Sequence, residues 1–158
     1  MCDTADRLEK VVNDAAPVQL RLSEEGAERR PGPGKWSPKE IIGHLIDSTS
    51  NNHRRFVEAQ FGEELVFPGY DADRWVDVQN YNERPWAPLV ELWHRKNLHM
   101  AHVIRSVPGE VRNLPRVKHN LHLVAFRKAS EAEPVTLEYF MKDYVDHLVH
   151  HLAAIPEE

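Results

Sequence analysis

The stretch from Asp143 to Ile155 reads DYVDHLVHHLAAI and holds three of the ten histidines of the chain within five residues. On a helix, His147 and His151 differ by ~40° in direction and by ~6 Å along the axis. This is the spacing of a helical H-x-x-x-H metal pair. Two buried imidazoles would otherwise need two sets of hydrogen-bond partners in one small volume, whereas one cation satisfies both. The spacing therefore indicates a metal site, with two hydrogen-bonded core histidines as the alternative.

A zinc-type site needs a third protein ligand, which usually comes from another element of the fold. The sequence IIGHLIDS supplies His44 on a second predicted helix. Five polar residues of that helix fall on one stripe beside its apolar face: Glu40, His44, Ser48, Asn51 and Arg55. Such a stripe is typical of a pocket wall, with a solvated lane along the helix edge as the alternative. The candidate metal ligands are therefore His44, His147 and His151.

Other ionisable residues near these three keep more than one interpretation. His150 is rotated ~60° from His147 and ~100° from His151, so we expect it to face a helix neighbour or solvent. Asp47 is expected to be a surface charge, with support of a ligand histidine as the alternative. Glu40 and Asp47 are both candidates for a base or an orienting carboxylate. Arg55 is expected to meet an anionic substrate, the carboxylate of a thiol, or a local acid.

The remaining histidines are expected to have structural roles. His53 lies opposite His44 on the second helix, so it should be exposed. The third helix carries His94, His99 and His102, which share no inward direction. The predicted hairpin carries His119 and His122. Three aromatic residues of a long loop are candidates to shape a pocket, although at least two of them are expected to pack on the bundle: Tyr70, Trp75 and Tyr81.

Helical periodicity predicts four long helices, over residues 3–14 with an interruption before Pro17, 38–60, 86–107 and from Thr136 onward. The second has the clearest start, because Ser37 and Glu40 form an S-x-x-E capping box with a proline at the first helical position. Between the helices we expect a turn in LSEEGAERR, a linker in RRPGPGK and a short helix near Trp75. Alternation over 110–128 predicts a small β-hairpin. The fold class is all-α, an antiparallel four-helix bundle.

Composition excludes several classes of protein. The chain has 158 residues, of which 41% are hydrophobic and 28% charged, a normal globular balance. A net charge of −5 gives no electrostatic support for a nucleic-acid partner, and no apolar run approaches the ~18 residues of a membrane-spanning helix. A single cysteine, Cys2, allows no internal disulfide, and the first ten residues lack a secretory pattern. We therefore expect one cytoplasmic domain, residues 1–158, without a membrane partner.

Three stretches together resemble the DinB-like superfamily, nearest its YfiT-type metal-dependent hydrolases: PGKWSPKEIIGHLIDSTSNNHRRF, the segment from FPGYDADRWV to YNERPW, and DYVDHLVHHLAAI. The resemblance implies an up-down-down-up four-helix bundle with a divalent metal, most often zinc or nickel. Its metal triad falls here on His44, His147 and His151. Dimers are common in the family, so a homodimer is implied. Members include thiol transferases that use bacillithiol, mycothiol or glutathione, and a maleylpyruvate isomerase.

The main functional expectation is a metal-dependent enzyme that acts on a small-molecule substrate. The cation would activate either water, as in a hydrolase, or a low-molecular-weight thiol, as in an S-transferase. No motif that would activate a serine or cysteine nucleophile occurs in the sequence, and neither does a glycine-rich phosphate loop. No catalytic residue is assigned. The alternatives are a non-catalytic metal-binding or sensing bundle, and a bundle that binds no metal.

Overall fold

The computed structural model describes residues 3–157, and its regular structure is helical. In chain order the elements are α1 (Asp3–Gln19), α2 (Glu24–Glu28), α3 (Pro38–Glu58), α4 (Ala72–Gln79), a 3-10 turn (Tyr81–Glu83), α5 (Trp86–Ser106), α6 (Gly109–Arg112), α7 (Leu121–Val124) and α8 (Leu137–Leu152). The long helices α1, α3, α5 and α8 form the bundle. None of the helices within residues 3–157 combines the length and the apolar character that crossing a bilayer requires. Cys2 lies outside the described residues.

Paired contacts give the direction of each helix. Helix α1 runs antiparallel to α5, because Asp6 accepts a hydrogen bond from Arg105 while Asn13, further along α1, contacts the earlier residue His94. In both pairs a higher number on one helix goes with a lower number on the other. Helix α5 therefore runs down where α1 runs up.

Helix α3 runs parallel to α5 and antiparallel to α8. Lys96 donates to the Ser50 hydroxyl, and three residues later on both helices the ring of His53 contacts that of His99. The direction sequence along the chain is therefore up, down, down, up, as the family resemblance implies, and the predicted four-helix bundle is confirmed. Parallel neighbours need a long crossover connection, which residues 59–85 provide between α3 and α5.

The core is one cluster of buried apolar side chains drawn from all four long helices. Leu8, Leu45, Trp93 and Leu148 are each no more than 1% exposed. Seven apolar residues at helical spacing along α5 and its C-cap are buried: Trp86, Leu89, Val90, Trp93, Met100, Ile104 and Val107. Their period marks the side of α5 that packs on the bundle.

Two helix boundaries differ from the prediction. Helix α1 continues through Pro17 to Gln19 instead of stopping near Ala16. Pro17 lies in the last turn, where the missing N–H removes only one intrahelical bond before the helix ends. Helix α3 ends at Glu58, two residues earlier than predicted. The short helix near Trp75 is confirmed as α4.

The β-hairpin predicted over 110–128 is wrong. This segment contains the one-turn helices α6 and α7, and its extended backbone pairs with two separate partners instead of folding on itself. His119 forms a single bridge with Leu65, and Arg116 forms one with Val135. Leu121 and Leu123, which alternate in sequence, do not share a buried face, because Leu121 is 0% and Leu123 is 67% exposed. The buried apolar residues of this stretch, Leu121 and Ala125, are four apart, at helical and not at strand spacing.

Helix α3 approaches the 3-10 turn very closely at Gly43. Tyr81 lies over this glycine, is 5% exposed, and donates its hydroxyl proton to Asp47 at 2.6 Å. A Cβ atom at position 43 would come within 2.1 Å of the Tyr81 ring. The absence of a side chain therefore lets the ring seat directly beside the residue that precedes His44.

We expect Gly43→Ala to destabilise the protein by about 1–3 kcal/mol, because the Tyr81 ring must be displaced from a packed site. The sign of the change in stability is diagnostic, since alanine in place of glycine normally stabilises a helix interior by about 0.5–1 kcal/mol. The free energy of unfolding is measured by urea denaturation. Gly109→Ala is the matched control, since a Cβ atom at position 109 meets nothing within 4 Å. The stability of this variant should not fall below that of the parent. A Gly43→Ala protein as stable as the parent would contradict the close packing.

Candidate metal centre

Helix α3 holds His44 in a fixed position because its start is firmly capped. The Ser37 hydroxyl accepts from the Glu40 amide at 3.2 Å, and the Glu40 carboxylate accepts from the Ser37 amide at 2.8 Å. The Ser37 hydroxyl also donates to Asn82 at 2.6 Å, which ties the cap to the segment that follows α4. The predicted capping box is confirmed, and it lies fewer than two turns before His44.

Helix α8 presents His147 and His151 on its side facing α3. The helix begins at Thr136, whose hydroxyl accepts from the Tyr139 amide at 3.1 Å, as predicted. Asp143 lies one turn before His147 on the same line. Since α3 and α8 are antiparallel neighbours, the line meets His44 at the level of the histidine pair.

The three imidazoles converge. His44 and His147 place their Nε2 atoms 3.1 Å apart. Ring centroids lie 4.6 Å apart for His44 and His151, and 4.5 Å for His147 and His151. One ring nitrogen from each residue lies within 4.8 Å of the others. The rings are steeply inclined to one another, at 67–77°, so no two of them stack face to face.

All three imidazoles are neutral at physiological pH. Burial lowers the pKa of His44 to about 4, with a further contribution from His151. Burial also lowers the pKa of His147 to about 3, and the neighbouring histidines add to the effect. The pKa of His151 falls to about 4 through burial and through His150. Neutral rings keep the lone pair that a metal ligand must offer.

The arrangement fits a divalent cation. Two nitrogens bound tetrahedrally at ~2.0–2.1 Å lie about 3.3 Å apart, which is close to the 3.1 Å between His44 and His147. A hydrogen bond between the His44 and His147 rings would account for this one contact, but not for the approach of a His151 nitrogen to both. The Nδ1 atom of His44 is buried and has no hydrogen-bond partner among the described residues, so His44 lacks the supporting acceptor that ligand histidines usually have.

Two aromatic side chains wall the site, and the sequence reasoning missed both. The half-buried Trp36 places its ring 4.8 Å from that of His44 and 6.0 Å from that of His151. Phe126 lies 5.5 Å from the His147 ring. Trp36 directly precedes the N-cap, where a hydrophobic staple residue is expected, so its position carried a signal. Phe126 lies in the segment predicted as a hairpin and carried none.

A cavity of about 270 Å³ opens beside His147. Polar residues of α3 line one side of it, namely Ser48, Asn52 and Arg55, and Tyr70 lines it from the long crossover. Phe126 and its neighbours close another side. Of the three histidines, His147 therefore lies at the edge of a space that can hold a small molecule, and His44 and His151 lie beside it.

Asp143 lines the same cavity and anchors its wall. Its two carboxylate oxygens accept from the backbone amides of Phe126 at 2.9 Å and Arg127 at 2.6 Å. Burial raises the pKa of Asp143, although these two donors act in the opposite direction. Asp143 thus fixes the segment that carries Phe126 against α8.

The predicted polar stripe of α3 is only partly correct. Glu40 is buried and is committed to the helix cap and to an ion pair with Arg30. Burial raises the pKa of Glu40, but Arg30 outweighs it and the pKa lies below its ordinary value. Asn51 donates to a backbone carbonyl of its own helix, and Asn52 lines the cavity in its place. Arg55 faces the cavity and has no acid partner within residues 3–157.

Asp47 and His53 are both less exposed than predicted. Asp47 is 3% exposed, because α4 and the 3-10 turn cover this side of α3. It accepts from Tyr81 and, at 2.9 Å, from Gln79. Burial raises the pKa of Asp47 despite these donors. His53 is half-buried, with its ring 5.1 Å from that of His99.

The remaining histidines lie outside the site, as predicted. His150 is exposed and contacts Phe126, at 5.0 Å between ring centroids. His94 pairs with Asn13 across the bundle. His119 is buried and fully engaged, since its ring bonds to the carbonyl of Glu133 and accepts from a backbone amide. Of the three loop aromatics, only Tyr70 lines the cavity beside His147.

The sequence matches the model of the DinB superfamily over residues 4–155. The structure is similar to that of YfiT from Bacillus subtilis, with a TM-score of 0.76 and 19% sequence identity, over 96% of this chain and 81% of that chain. YfiT is described as a probable metal-dependent hydrolase with an unusual four-helix bundle topology. At this identity the likeness shows the fold alone. No curated protein matches this chain in sequence.

We expect Asp143→Asn to destabilise the protein by about 1–3 kcal/mol. An amide offers only one acceptor oxygen, so one of the two backbone donors loses its partner in a buried position. Hydrogen exchange should also become faster at the amides of Phe126 and Arg127. Asp14→Asn is the control, because its ion pair is exposed and contributes at most about 0.5 kcal/mol. Unchanged exchange at both amides in Asp143→Asn would show that the carboxylate does not hold this wall.

Proposed function

The chain belongs to the DinB superfamily, and we propose that it is a metal-dependent enzyme in which His44, His147 and His151 hold a divalent cation. The observation that carries the proposal is the convergence of three neutral imidazole nitrogens within 4.8 Å of one another, with His147 at the edge of a cavity. Its fold also resembles that of YfiT, described as a probable metal-dependent hydrolase.

The number of protein ligands favours catalysis over a structural or sensing role. Among residues 3–157, no cysteine, aspartate, glutamate or fourth histidine joins the three-histidine group. Structural zinc sites are closed by four protein ligands, whereas catalytic sites use three and keep a position for water or substrate. The cavity beside His147 leaves such a position accessible. An all-imidazole donor set suits zinc or nickel.

A cation held there would supply Lewis acidity, which lowers the pKa of a water molecule or a thiol beside it. The protein contributes the rest of the site. His44, His147 and His151 are neutral ligands that leave the charge of the cation uncompensated. Trp36 and Phe126 cover the rings and restrict access of bulk water.

The attacking group is proposed to come from outside the chain. Ser48 is the serine that lines the cavity, so it is the candidate for a nucleophile supplied by the protein. Its hydroxyl interacts with Asn52 and Tyr70 and with no histidine of the described chain. A serine without an adjacent base is a poor nucleophile. We therefore propose either hydrolysis by water or transfer of a low-molecular-weight thiol to a small electrophile.

We expect His147→Ala to remove stoichiometric metal from the purified protein, because two imidazoles on different helices hold a cation far less tightly than three. Metal content is measured by inductively coupled plasma mass spectrometry, and added zinc or nickel should raise the melting temperature of the parent but not of the variant. His94→Ala is the control, since this histidine pairs with Asn13 of α1 and is not part of the three-histidine group. Full metal content in His147→Ala would refute the ligand assignment.

The reaction class is tested by offering small electrophiles, including esters and epoxides, with and without a panel of thiols. Turnover is expected to stop on chelation and to return when zinc or nickel is restored. Product that forms without thiol identifies a hydrolase, and product that requires thiol identifies an S-transferase. Turnover that survives chelation and is unchanged in His147→Ala would contradict a metal-dependent mechanism.

A further inference from the structure

Arg55 is a buried cation that faces the cavity beside His147. It is 6% exposed, and its guanidinium donates to the side chain of Asn52 at 3.3 Å and to the carbonyl of Pro68 at 2.6 Å. A guanidinium has five N–H groups, so these two bonds leave donors available. No carboxylate within residues 3–157 forms an ion pair with Arg55.

The other strongly buried cations, Lys39 and Arg116, each contact a negatively charged group of the protein, either a carboxylate or the C-terminus of a helix. Lys39, which is 1% exposed, pairs with Glu24 and with Glu28. Arg116, which is 4% exposed, donates to the carbonyl of Ala59 at 2.8 Å. That carbonyl ends α3, where the helix dipole is negative. Arg55 differs from both, because it has neither an acid nor a helix C-terminus and it borders an open cavity.

An uncompensated buried charge costs free energy, because it has lost its hydration. Arginine remains protonated at neutral pH, although burial lowers the pKa of Arg55. The charge is held between two rings, since the guanidinium carbon lies 5.9 Å from the ring centroids of both Tyr70 and Phe140. A planar fork held in this way suits bidentate recognition of a carboxylate.

We propose that Arg55 binds the carboxylate of an elongated small molecule whose other end lies at the three histidines. The position of the reacting end rests on the proposed function, but the carboxylate subsite does not. Phe140 and His147 line the same cavity seven residues apart on α8, which is a rise of about 10 Å. The ligand therefore carries its carboxylate several bonds away from the group that reacts.

Asp143 lies between the two ends of the cavity. Its carboxylate would repel an anionic group of the ligand that lay beside it. Its charge is directed at the backbone amides of Phe126 and Arg127. An uncharged chain past Asp143 with an anionic end at Arg55 matches this pattern. A second carboxylate in the middle of the ligand does not.

The test uses the full chain after removal of metal with a chelator, titrated with hexanoate and followed by NMR. Hexanol is the uncharged match. Hexanoate is expected to bind at least about tenfold more tightly than hexanol, a difference of about 1.4 kcal/mol. Arg55→Gln should weaken hexanoate binding by about tenfold or more. Arg54→Gln, which changes the adjacent exposed arginine on the same helix, should leave it unchanged.

Asn52→Asp keeps the test decisive if Arg55→Gln unfolds. This variant preserves the side-chain shape and gives Arg55 an internal counter-charge, so it should also weaken hexanoate binding by about tenfold. Hexanoate binding that is unaffected by both Arg55→Gln and Asn52→Asp would overturn the proposal. So would equal affinity of the parent for hexanoate and hexanol, or no binding of hexanoate at all.

The carboxylate can belong to the substrate or to a thiol cosubstrate, and metal-loaded protein separates these sources. Tighter binding of mercaptohexanoate than of hexanoate assigns Arg55 to the thiol, and equal binding assigns it to the substrate. His147→Ala makes the two proposals independent. If the protein takes up no metal but still binds hexanoate, the Arg55 subsite is supported and the proposed function is rejected. If hexanoate binding is lost only in the Arg55 variants while metal content is unchanged, the metal assignment remains intact.

Discussion

The register of α3 against α8 is the constraint on which the candidate metal centre depends. A slide by one helical turn, about 5.4 Å, would take the Nε2 atoms of His44 and His147 out of their 3.1 Å contact. Tyr144 fixes this register one turn away, because its hydroxyl bonds to Thr49 at 2.8 Å and donates to Asn97 at 2.5 Å. These groups are buried, so a slide would leave them without partners and cost more than a shift of apolar contacts.

The covering of α3 by its neighbours explains why one face of this helix is reserved for the site. Lys39 and Asp47 are buried on other faces, where Lys39 pairs with acids of α2 and Asp47 accepts from the Tyr81 hydroxyl of the 3-10 turn. The face toward α8 receives no such covering. Arg55 therefore lines the cavity, and His44 lies beside it in contact with His147. Neither is paired with an acid of the described chain. The resulting site is rich in lone pairs at one end and positively charged at the other.

Local patterns in the sequence predicted most of the bundle and the convergence of its histidines. The caps at Ser37 and Thr136 depend on side chains within three residues of the helix start, so they could be identified directly. The convergence of His44 with the pair on α8 followed from helical spacing together with the family resemblance. Burial of Asp47 could not be predicted, because it depends on how an aperiodic crossover folds back over α3. The hairpin error has the same origin, since Leu65 and Val135 are distant partners that no local pattern reveals.

Ligands and walls of the site come from different kinds of structure, and this division has a consequence for specificity. The histidines lie on long helices whose positions are set by the core, which is the placement that gives a functional group the least freedom. Tyr70 and Phe126 lie on the two long connections, where substitutions and insertions disturb the bundle least. A change in these segments reshapes the cavity without moving the three imidazoles. Arg55 lies on a helix but is oriented by the carbonyl of Pro68 in the crossover. On the proposed function, the bundle fixes where the chemistry takes place, and the connections adjust which molecule reaches it.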